Sequence, residues 1–280
     1  MKKIIILGAS GRLGSYIYKS LKKKYLIYPL GKSNKIYEVN LLNKKDLELK
    51  IIKIDPDVII NCVAATNVNK CIKNYNYAYE GNVLVSSNIV NCIKKLKKKI
   101  HLIHFSTDQV YNSKLSSKSK ENEVMPTNNY AKTKLLAEQE IKKISNYTII
   151  RSNFFGKLLK RNLSFSDFVI KNLKNKNKIK IPLNIIYNPI HVLFLVKYIK
   201  IIIEKNLKGT FNIGSKDLIS KYDFAIKLAE IYKLNKNLVL GYQSSYLLNN
   251  RPSNTSMNCK KFENKIKKKM PSLDQMFKLT

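Results

Sequence analysis

Residues 4–14, near the start of the chain, read Ile4-Ile5-Ile6-Leu7-Gly8-Ala9-Ser10-Gly11-Arg12-Leu13-Gly14 and are the most informative about the fold. The apolar run 4–7 is typical of a strand that is buried on both faces of a parallel sheet. Gly8 permits a tight turn, Gly11 lets the backbone approach a pyrophosphate, and Gly14 allows a following helix to pack closely on the strand. Because this turn comes directly after a strand and opens a helix, it indicates dinucleotide binding.

Strands and helices alternate beyond this turn. Strands are predicted over 25–30, 58–63, 101–105 and 147–151, and helices over 11–24, 82–96 and 130–144. This alternation predicts an α/β fold, a doubly wound parallel sheet of the Rossmann type. We expect a dinucleotide-binding domain over 1–154, completed by about 187–214, with a helix over 190–203 and a strand over 210–213. A smaller C-terminal lobe over 155–280 is expected to be mainly substrate-binding, with helices over 164–173 and 222–232.

The charge of the chain is its most conspicuous compositional feature. Lys and Arg number 53 against 18 Asp and Glu, which gives a net charge of +35. Only 4 of these cations are Arg, while 49 are Lys and the chain also holds 32 Asn. Surfaces that read nucleic acid rely on Arg for bidentate contacts. The charge is therefore interpreted as a compositional bias, and no nucleic-acid partner is predicted.

The chain also lacks the features of a metal, disulfide or membrane protein. Its four cysteines are Cys62, Cys71, Cys92 and Cys259. They are scattered without a CxxC or Cys/His pairing, which favours a reducing cytosol and no metal site. The late apolar stretch 190–203 contains His191, Lys197 and Lys200, so it is too short and too charged to cross a bilayer. The apolar run at the N-terminus is too short for a signal peptide. We therefore expect a soluble cytoplasmic protein with no membrane partner.

The residues after the second strand bear on the choice of dinucleotide. An acid at this point would select NAD by accepting a hydrogen bond from the ribose 2′-OH. Residues 30–33 read Leu-Gly-Lys-Ser, without an acid. Lys32 and Arg12 could neutralise a 2′-phosphate. NADPH is therefore predicted, with NADH as the alternative.

Candidate catalytic residues occupy a later strand end and the helix after it. Tyr130 and Lys134 are spaced i and i+4, so they share one helix face. An ammonium near a phenol lowers its pKa, which would let Tyr130 donate a proton to a carbonyl oxygen as hydride arrives. Thr107 and Asp108 follow the strand 101–105, and strand carboxyl ends carry the site in such sheets. A hydroxyl there can bind the same substrate oxygen.

These motifs, in this order, resemble the extended short-chain dehydrogenase/reductase superfamily, and within it the dTDP-4-dehydrorhamnose reductase family. The matching segments lie over 8–14, 56–66, 105–111, 123–134 and 251–256. The last of them, Arg251-Pro252-Ser253-Asn254-Thr255-Ser256, resembles the C-terminal Arg-Pro-x-Asn-Ser signature of that family.

The resemblance implies a role for each matching residue. It makes Tyr130 the proton donor, places Lys134 on the nicotinamide ribose, and has Thr107 orient the substrate carbonyl with Asp108 beside it. Arg251 becomes a candidate for the substrate diphosphate, which suits a guanidinium fork. The resemblance also implies that Gly11, Arg12 and Leu13 cradle the pyrophosphate, that Asn40 and Leu41 lie near the adenine, and that Ala64, Ala65 and Thr66 line the cofactor. The predicted cofactor site also includes Gly8, Ser10 and Gly14 of the glycine turn, and Lys32.

The chain departs from the family pattern at several points. Asn40 and Asn69 stand where the family usually has Asp. A sugar-contacting Trp has no counterpart, since the chain contains no Trp, and Phe154 beside Asn153 is the expected substitute. Residues 183–190 replace the usual Asp-Gln-x-Gly-x-Pro-Thr segment. Asn82 matches a supporting helix asparagine of the superfamily, with helix capping as the alternative.

The predicted function is an NAD(P)H-dependent reductase of a nucleotide-linked 4-keto-6-deoxy sugar, in surface-polysaccharide sugar synthesis. Hydride would reach C4, with Tyr130 as the proton donor, and a homodimer is considered. One alternative is a nucleotide-sugar epimerase or dehydratase, although Gln109 rather than Glu follows Thr107-Asp108 and disfavours the dehydratase. The other alternative is a non-catalytic regulatory subunit that retains the fold.

Overall fold

The computed structural model describes residues 1–32, 38–96, 98–112, 117–156, 164–244 and 251–279. Ser33, the last residue of the segment 30–33, and Lys97, which directly follows the predicted helix 82–96, lie outside these ranges. The strands are β1 (Lys3–Leu7), β2 (Leu26–Leu30), β3 (Val58–Asn61), β4 (His101–Phe105), β5 (Tyr147–Arg151), β6 (Phe154–Phe155), β7 (Ile179–Pro182), β8 (Ile186–Tyr187), β9 (Ile190–His191), β10 (Gly209–Asn212), β11 (Ile219–Ser220) and β12 (Val239–Tyr242).

The helices follow the strands in alternation through the first half of the chain. They are α1 (Arg12–Leu21), α2 (Lys44–Ile54), α3 (Val68–Lys73), α4 (Tyr75–Tyr79), α5 (Val85–Lys95), α6 (Asn129–Ile141), α7 (Phe165–Lys174), α8 (Val192–Lys205), α9 (Lys221–Ile231), α10 (Lys260–Ile266) and α11 (Leu273–Phe277). A π-helical turn, Glu80–Leu84, leads into α5. Among the described residues, no helix is both long and apolar enough to cross a membrane.

Six strands form the central sheet in the order β10-β5-β4-β3-β1-β2. β1 pairs in parallel with β2 and β3, and the parallel pairing continues from β3 to β4 and from β4 to β5. The strand order reverses beside β1, which is the topological switch point where ligands bind in such folds. The predicted α/β doubly wound parallel sheet is thereby confirmed.

The chain divides into two compact units. The first comprises Met1–Thr107, Asn128–Arg151 and Val196–Phe211, and the second comprises Asp108–Thr127, Ser152–Leu195 and Asn212–Thr280. In the first unit, the apolar runs of β1 and β3 are buried throughout. One face of these strands packs in a core that also includes Leu47 and Ile51 of α2 and Ile89 of α5. Continuous apolar strands are stable here because helices cover the sheet.

The second unit is built from short strand pairs and an aromatic cluster. β6 pairs with β9, β7 with β12, and β8 with β11. The centroid of the Phe155 ring lies 5.1 Å from that of Phe224, in an edge-on contact, and 5.5 Å from that of Phe277, in a tilted contact. Such aromatic contacts bury large apolar area within a small unit.

The structure shifts several predicted element boundaries. The predicted helix over 82–96 is wrong at its start, because residues 80–84 form the π-helical turn and α5 begins at Val85. The polar Lys/Asn run over 174–180 predicts a surface loop. This prediction is wrong at its end, because Ile179 and Lys180 belong to β7 and Ile179 is buried. The helix α2 was not predicted. Its start is capped by the Asn43 side chain, which accepts from the Asp46 N–H.

Candidate active site

The glycine turn between β1 and α1 is held by backbone hydrogen bonds. The Gly8 N–H donates to Leu30 O at 2.9 Å, and the Gly11 N–H donates to Gly8 O at 2.9 Å. Gly8 has a φ of +77°, which L side chains rarely adopt. A Cβ at Gly14 would lie 2.3 Å from Gly8 O, so no side chain fits there without a shift.

This turn fits a diphosphate. Gly11 is the N-cap of α1, and its lack of a side chain leaves the first N–H groups of that helix without a side-chain cap. Free N–H groups at a helix start, together with the helix dipole, favour an anion. Ser10 is exposed at the turn, Arg12 is half-buried and Leu13 is buried in the helix.

The residues predicted to lie near the adenine and its ribose are found after β2 and before α2. Lys32 is exposed. Asn40 is exposed, and its side-chain oxygen accepts from the Leu42 N–H at 3.2 Å while its own N–H donates to Asp46 at 2.9 Å. Leu41 is buried, and its carbonyl accepts from the Asn88 side chain at 2.9 Å. The side-chain oxygen of Asn40 thus stabilises the loop that leads into α2.

The segment after β3 is tied to two helices through Asn82. The side-chain Oδ1 of Asn82 accepts from the Ala65 N–H at 2.9 Å, and its side-chain Nδ2 donates to Thr133 Oγ1 of α6 at 3.0 Å. Asn82 is therefore a link in the π-helical turn, and the helix-capping interpretation of this residue is wrong. A Cβ at Gly81 would lie 2.8 Å from the Ala65 Cβ, so this glycine is needed for the close approach. Ala64 is half-buried and Thr66 exposed beside Ala65.

The helix α6 carries Tyr130 and Lys134, two of the predicted catalytic residues. Its N-cap is Asn128, whose side chain accepts from the Ala131 N–H at 3.0 Å. Tyr130 and Lys134 lie one turn apart on it, and both are buried. The Lys134 ammonium donates to Phe105 O at 2.6 Å, at the end of β4. Lys134 is thus fixed to the strand end that leads directly to Thr107, which is also buried.

The environment of Lys134 brings its titration close to neutrality. Burial lowers the pKa of Lys134 from its ordinary 10.5 to about 8, while the charge of Glu138 opposes this shift. Burial and the Lys134 charge hold the pKa of His104 well below its usual range. The neutral His104 ring accepts from the Asn61 amide at 3.1 Å.

A second polar cluster surrounds Asp108 in the second unit. Asp108 is buried, and its Oδ2 accepts from Asn153 Nδ2 at 3.0 Å and from Thr255 Oγ1 at 2.8 Å. The structure therefore brings together Asp108 and Asn153, both predicted from the sequence, with a residue of the 251–256 signature. Phe154 is half-buried in β6, where it pairs with Ile190 of β9.

A lysine that sequence reasoning missed belongs to this cluster. The Lys221 ammonium lies 3.6 Å from the centre of the Tyr187 ring and 4.7 Å from that of Phe165. Burial lowers the pKa of Lys221 to about 8, Asp108 raises it, and Arg251 lowers it. Asp108, Lys221 and Arg251 are therefore charge neighbours in this unit. No sequence signal distinguishes Lys221 among 49 lysines.

Sequence reasoning also missed the acid of the first unit's site. Glu138 is buried and lies one turn after Lys134 on α6. It forms an ion pair with the buried Arg151 at the end of β5, at 2.5 Å. Its sequence position could have indicated it, because Lys134 and Glu138 follow Tyr130 at i+4 and i+8 and so lie on the same helix face.

The sheet order and the glycine turn define a Rossmann-type dinucleotide-binding fold. The model of the family described as "RmlD substrate binding domain" matches residues 1–279. The chain belongs to this family, which confirms the resemblance inferred from the motifs.

Individual relatives agree with this assignment. The chain is similar to the solved structure of dTDP-4-dehydrorhamnose reductase from Bacillus anthracis str. Ames in complex with NADP. The TM-score is 0.90 at 25% identity, covering 99% of this chain and 97% of that one. It is 28% identical over 241 residues to dTDP-4-dehydrorhamnose reductase of Aggregatibacter actinomycetemcomitans, covering 81% of this chain and 78% of the relative. It is also 24% identical over 279 residues to methionine adenosyltransferase 2 subunit beta of Rattus norvegicus, covering 94% of this chain and 82% of the relative.

Proposed function

We propose that the chain is an NAD(P)H-dependent reductase of a nucleotide-linked 4-keto-6-deoxy sugar, which serves surface-polysaccharide synthesis. The observation that carries this proposal is the placement of Tyr130 and Lys134 on α6, with Lys134 fixed to the end of β4 immediately before Thr107. The named activity of two similar proteins, dTDP-4-dehydrorhamnose reduction, supports the same substrate class.

In the proposed reaction, the chain's own residues bind, orient and protonate the sugar carbonyl. The bound nicotinamide supplies the hydride. Thr107 donates a hydrogen bond to the carbonyl oxygen and orients it, and Tyr130 gives that oxygen its phenolic proton. The Lys134 ammonium stabilises the phenolate that remains. The carbonyl gains one hydride and one proton and becomes an alcohol, and Tyr130 regains its proton from solvent.

The cofactor is proposed to be NADPH, with NADH as the second choice. The glycine turn Gly8–Gly14 has the geometry for the diphosphate. No acid stands at residues 30–33, and Lys32 and Arg12 are the cations of this region. The complex of a similar reductase with NADP supports this preference.

The substrate is proposed to contact the polar cluster of the second unit. Asp108 would accept from a sugar hydroxyl beside Asn153, and Phe154 would replace the missing Trp against the sugar ring. Arg251 is proposed for the diphosphate, since a guanidinium binds phosphate oxygens in pairs. We further propose that the protein acts in the cytoplasm as a homodimer, without a nucleic-acid partner.

The second candidate function is a non-catalytic subunit, which the similarity to methionine adenosyltransferase 2 subunit beta favours. The two functions are distinguished by incubating the purified protein with NADPH and a dTDP-4-keto-6-deoxy sugar. The reductase oxidises the cofactor, seen as a loss of absorbance at 340 nm. No oxidation with any keto sugar, together with tight binding to a partner protein, would support the subunit instead.

A further inference from the structure

The carboxylate of Glu138 has three donors on two neighbouring strand ends. It accepts from Ser106 Oγ, directly after β4, at 2.5 Å, and from the Nε and Nη2 of Arg151, at the end of β5, at 2.8 and 2.5 Å. Glu138 is 0% exposed and Arg151 is 1% exposed. Such a pair is strongly directional, because the guanidinium fork and the carboxylate must be coplanar to form both bonds.

The ion pair of Glu138 and Arg151 is connected to Lys134 through α6 and the end of β4. Lys134 lies one turn before Glu138 on α6 and donates to Phe105 O, while Glu138 accepts from the next residue, Ser106. Two adjacent contacts therefore hold α6 against the end of β4. That strand end continues directly into Thr107.

The charges around Lys134 make Glu138 its counter-charge. The other titratable groups that face Lys134 are Cys62 after β3 and His104 on β4. Burial raises the pKa of the Cys62 thiol and lowers that of His104, so both are neutral near pH 7. Tyr130 lies one turn away on the same helix and is neutral before it gives up its proton. Arg151 adds a second cation, which Glu138 binds directly.

We propose that Glu138 is a positioning residue for the reduction: held by Arg151 and Ser106, it fixes Lys134 against the end of β4 and supplies the negative charge that balances this buried ammonium. The inference rests on the proposed reductase function. Glu138 acts on the substrate only through Lys134 and, by way of Ser106, through the position of Thr107.

Two variants separate this role from a purely structural one. Glu138→Gln keeps the side-chain shape and removes the charge. The double variant Glu138→Leu/Arg151→Met replaces the ion pair by apolar groups, which often preserves folding because neither charge is left buried alone. If the pair served stability only, the double variant would restore both folding and activity.

The first measurement is independent of turnover. The protein is labelled with 13Cε-lysine and titrated by NMR, and Lys134 and Lys221 are assigned from the loss of their signals in Lys134→Met and Lys221→Met. We expect Lys134 to titrate near pH 8 in the wild type. In the folded Glu138→Gln variant its titration should move about one pH unit or more lower, since a nearby opposite charge shifts a pKa by about that much. In the double variant the shift should be smaller, because the Arg151 cation is removed with the Glu138 anion. Lys221 should not move.

The second measurement is the pH profile of kcat/KM for the keto sugar. Since Lys134 must be protonated, the fall of kcat/KM at alkaline pH should move to lower pH by the same amount as the NMR titration. An unchanged Lys134 titration in folded Glu138→Gln would overturn the proposal, and so would full recovery of the wild-type profile in the double variant. If the wild type reduces no keto sugar, the proposed function fails, and the NMR titration still decides the inference.

Discussion

Thr255 Oγ1 donates a hydrogen bond to Asp108 Oδ2 at 2.8 Å, within the second unit. This bond joins the 251–256 signature to the residue that directly follows Thr107. Both side chains are buried, so the carboxylate depends on protein donors for its orientation.

Replacing Thr255 by Val should lower kcat/KM for the nucleotide sugar roughly tenfold to a hundredfold, because a hydrogen bond to a buried carboxylate is lost. The matched control is Thr255→Ser, which keeps the hydroxyl and should remain within about threefold of the wild type. Steady-state kinetics and thermal unfolding of both variants check this. An unchanged kcat/KM in Thr255→Val, which keeps the methyl group and lacks only the hydroxyl, would contradict the role of the hydrogen bond.

The pH dependence should follow Lys134. Its pKa in the folded protein is about 8, below the ordinary 10.5, because burial disfavours the charged form. Lys134 loses its proton as the pH rises through 8, so kcat/KM should fall above that pH. Between pH 8 and 10.5 the unfolded chain holds this proton while the folded chain does not. The contribution of Lys134 to the free energy of unfolding should therefore increase with pH in that window.

Urea unfolding of the wild type and of Lys134→Met at several pH values measures this contribution. Lys221 also has a pKa of about 8 and contributes to the pH dependence in the same window, so its contribution is measured separately with Lys221→Met. A wild-type profile of kcat/KM that stays flat from pH 7 to 10 would contradict the role of Lys134.

The glycine turn should not tolerate a methyl group at Gly14. A Cβ there would lie 2.3 Å from Gly8 O and 2.8 Å from the Ala9 Cα, both backbone atoms that define the turn. Gly14→Ala should lower the free energy of unfolding by at least ~2 kcal/mol and abolish cofactor binding, which calorimetry measures. Gly31→Ala is the control, because its nearest atoms would lie at 3.9 Å. Equal stability of the two variants would refute the close packing at Gly14.

The preference for NADPH should depend on Lys32. Lys32→Ala should raise the Kd for NADPH several-fold and leave that for NADH nearly unchanged, because only NADPH carries the 2′-phosphate. Lys23→Ala, another exposed lysine of the first unit, is the control for general charge. An equal rise in the Kd for NADPH and for NADH would indicate that Lys32 contacts a part of the cofactor that both share.

Much of the fold could be predicted because its signals are local. The apolar runs of β1 and β4, the glycine spacing at 8, 11 and 14, and the i, i+4 pair on α6 each lie within a few residues. Strands β4 and β5 were predicted with the boundaries that the structure shows.

The missed features depend on distant partners. Thr255 and Asp108 are 147 positions apart, and no local pattern announces their contact. The ion pair of Glu138 and Arg151 joins a helix to a strand end. Its importance to the site follows from its complete burial, which charged residues rarely show. The π-helical turn at residues 80–84 contains Gly81, which approaches Ala65 closely in a tertiary contact.

The central claim is hydride transfer to a nucleotide-linked 4-keto sugar with Tyr130 as the proton donor. The most direct test uses NADPH deuterated at the transferred position with a dTDP-4-keto-6-deoxy sugar, and NMR of the product. The account predicts one deuterium at C4 and stoichiometric cofactor oxidation, with kcat lowered about 10²- to 10⁴-fold by Tyr130→Phe. An altered sugar without deuterium at C4 and without net cofactor oxidation, or an unchanged rate in Tyr130→Phe, would contradict it.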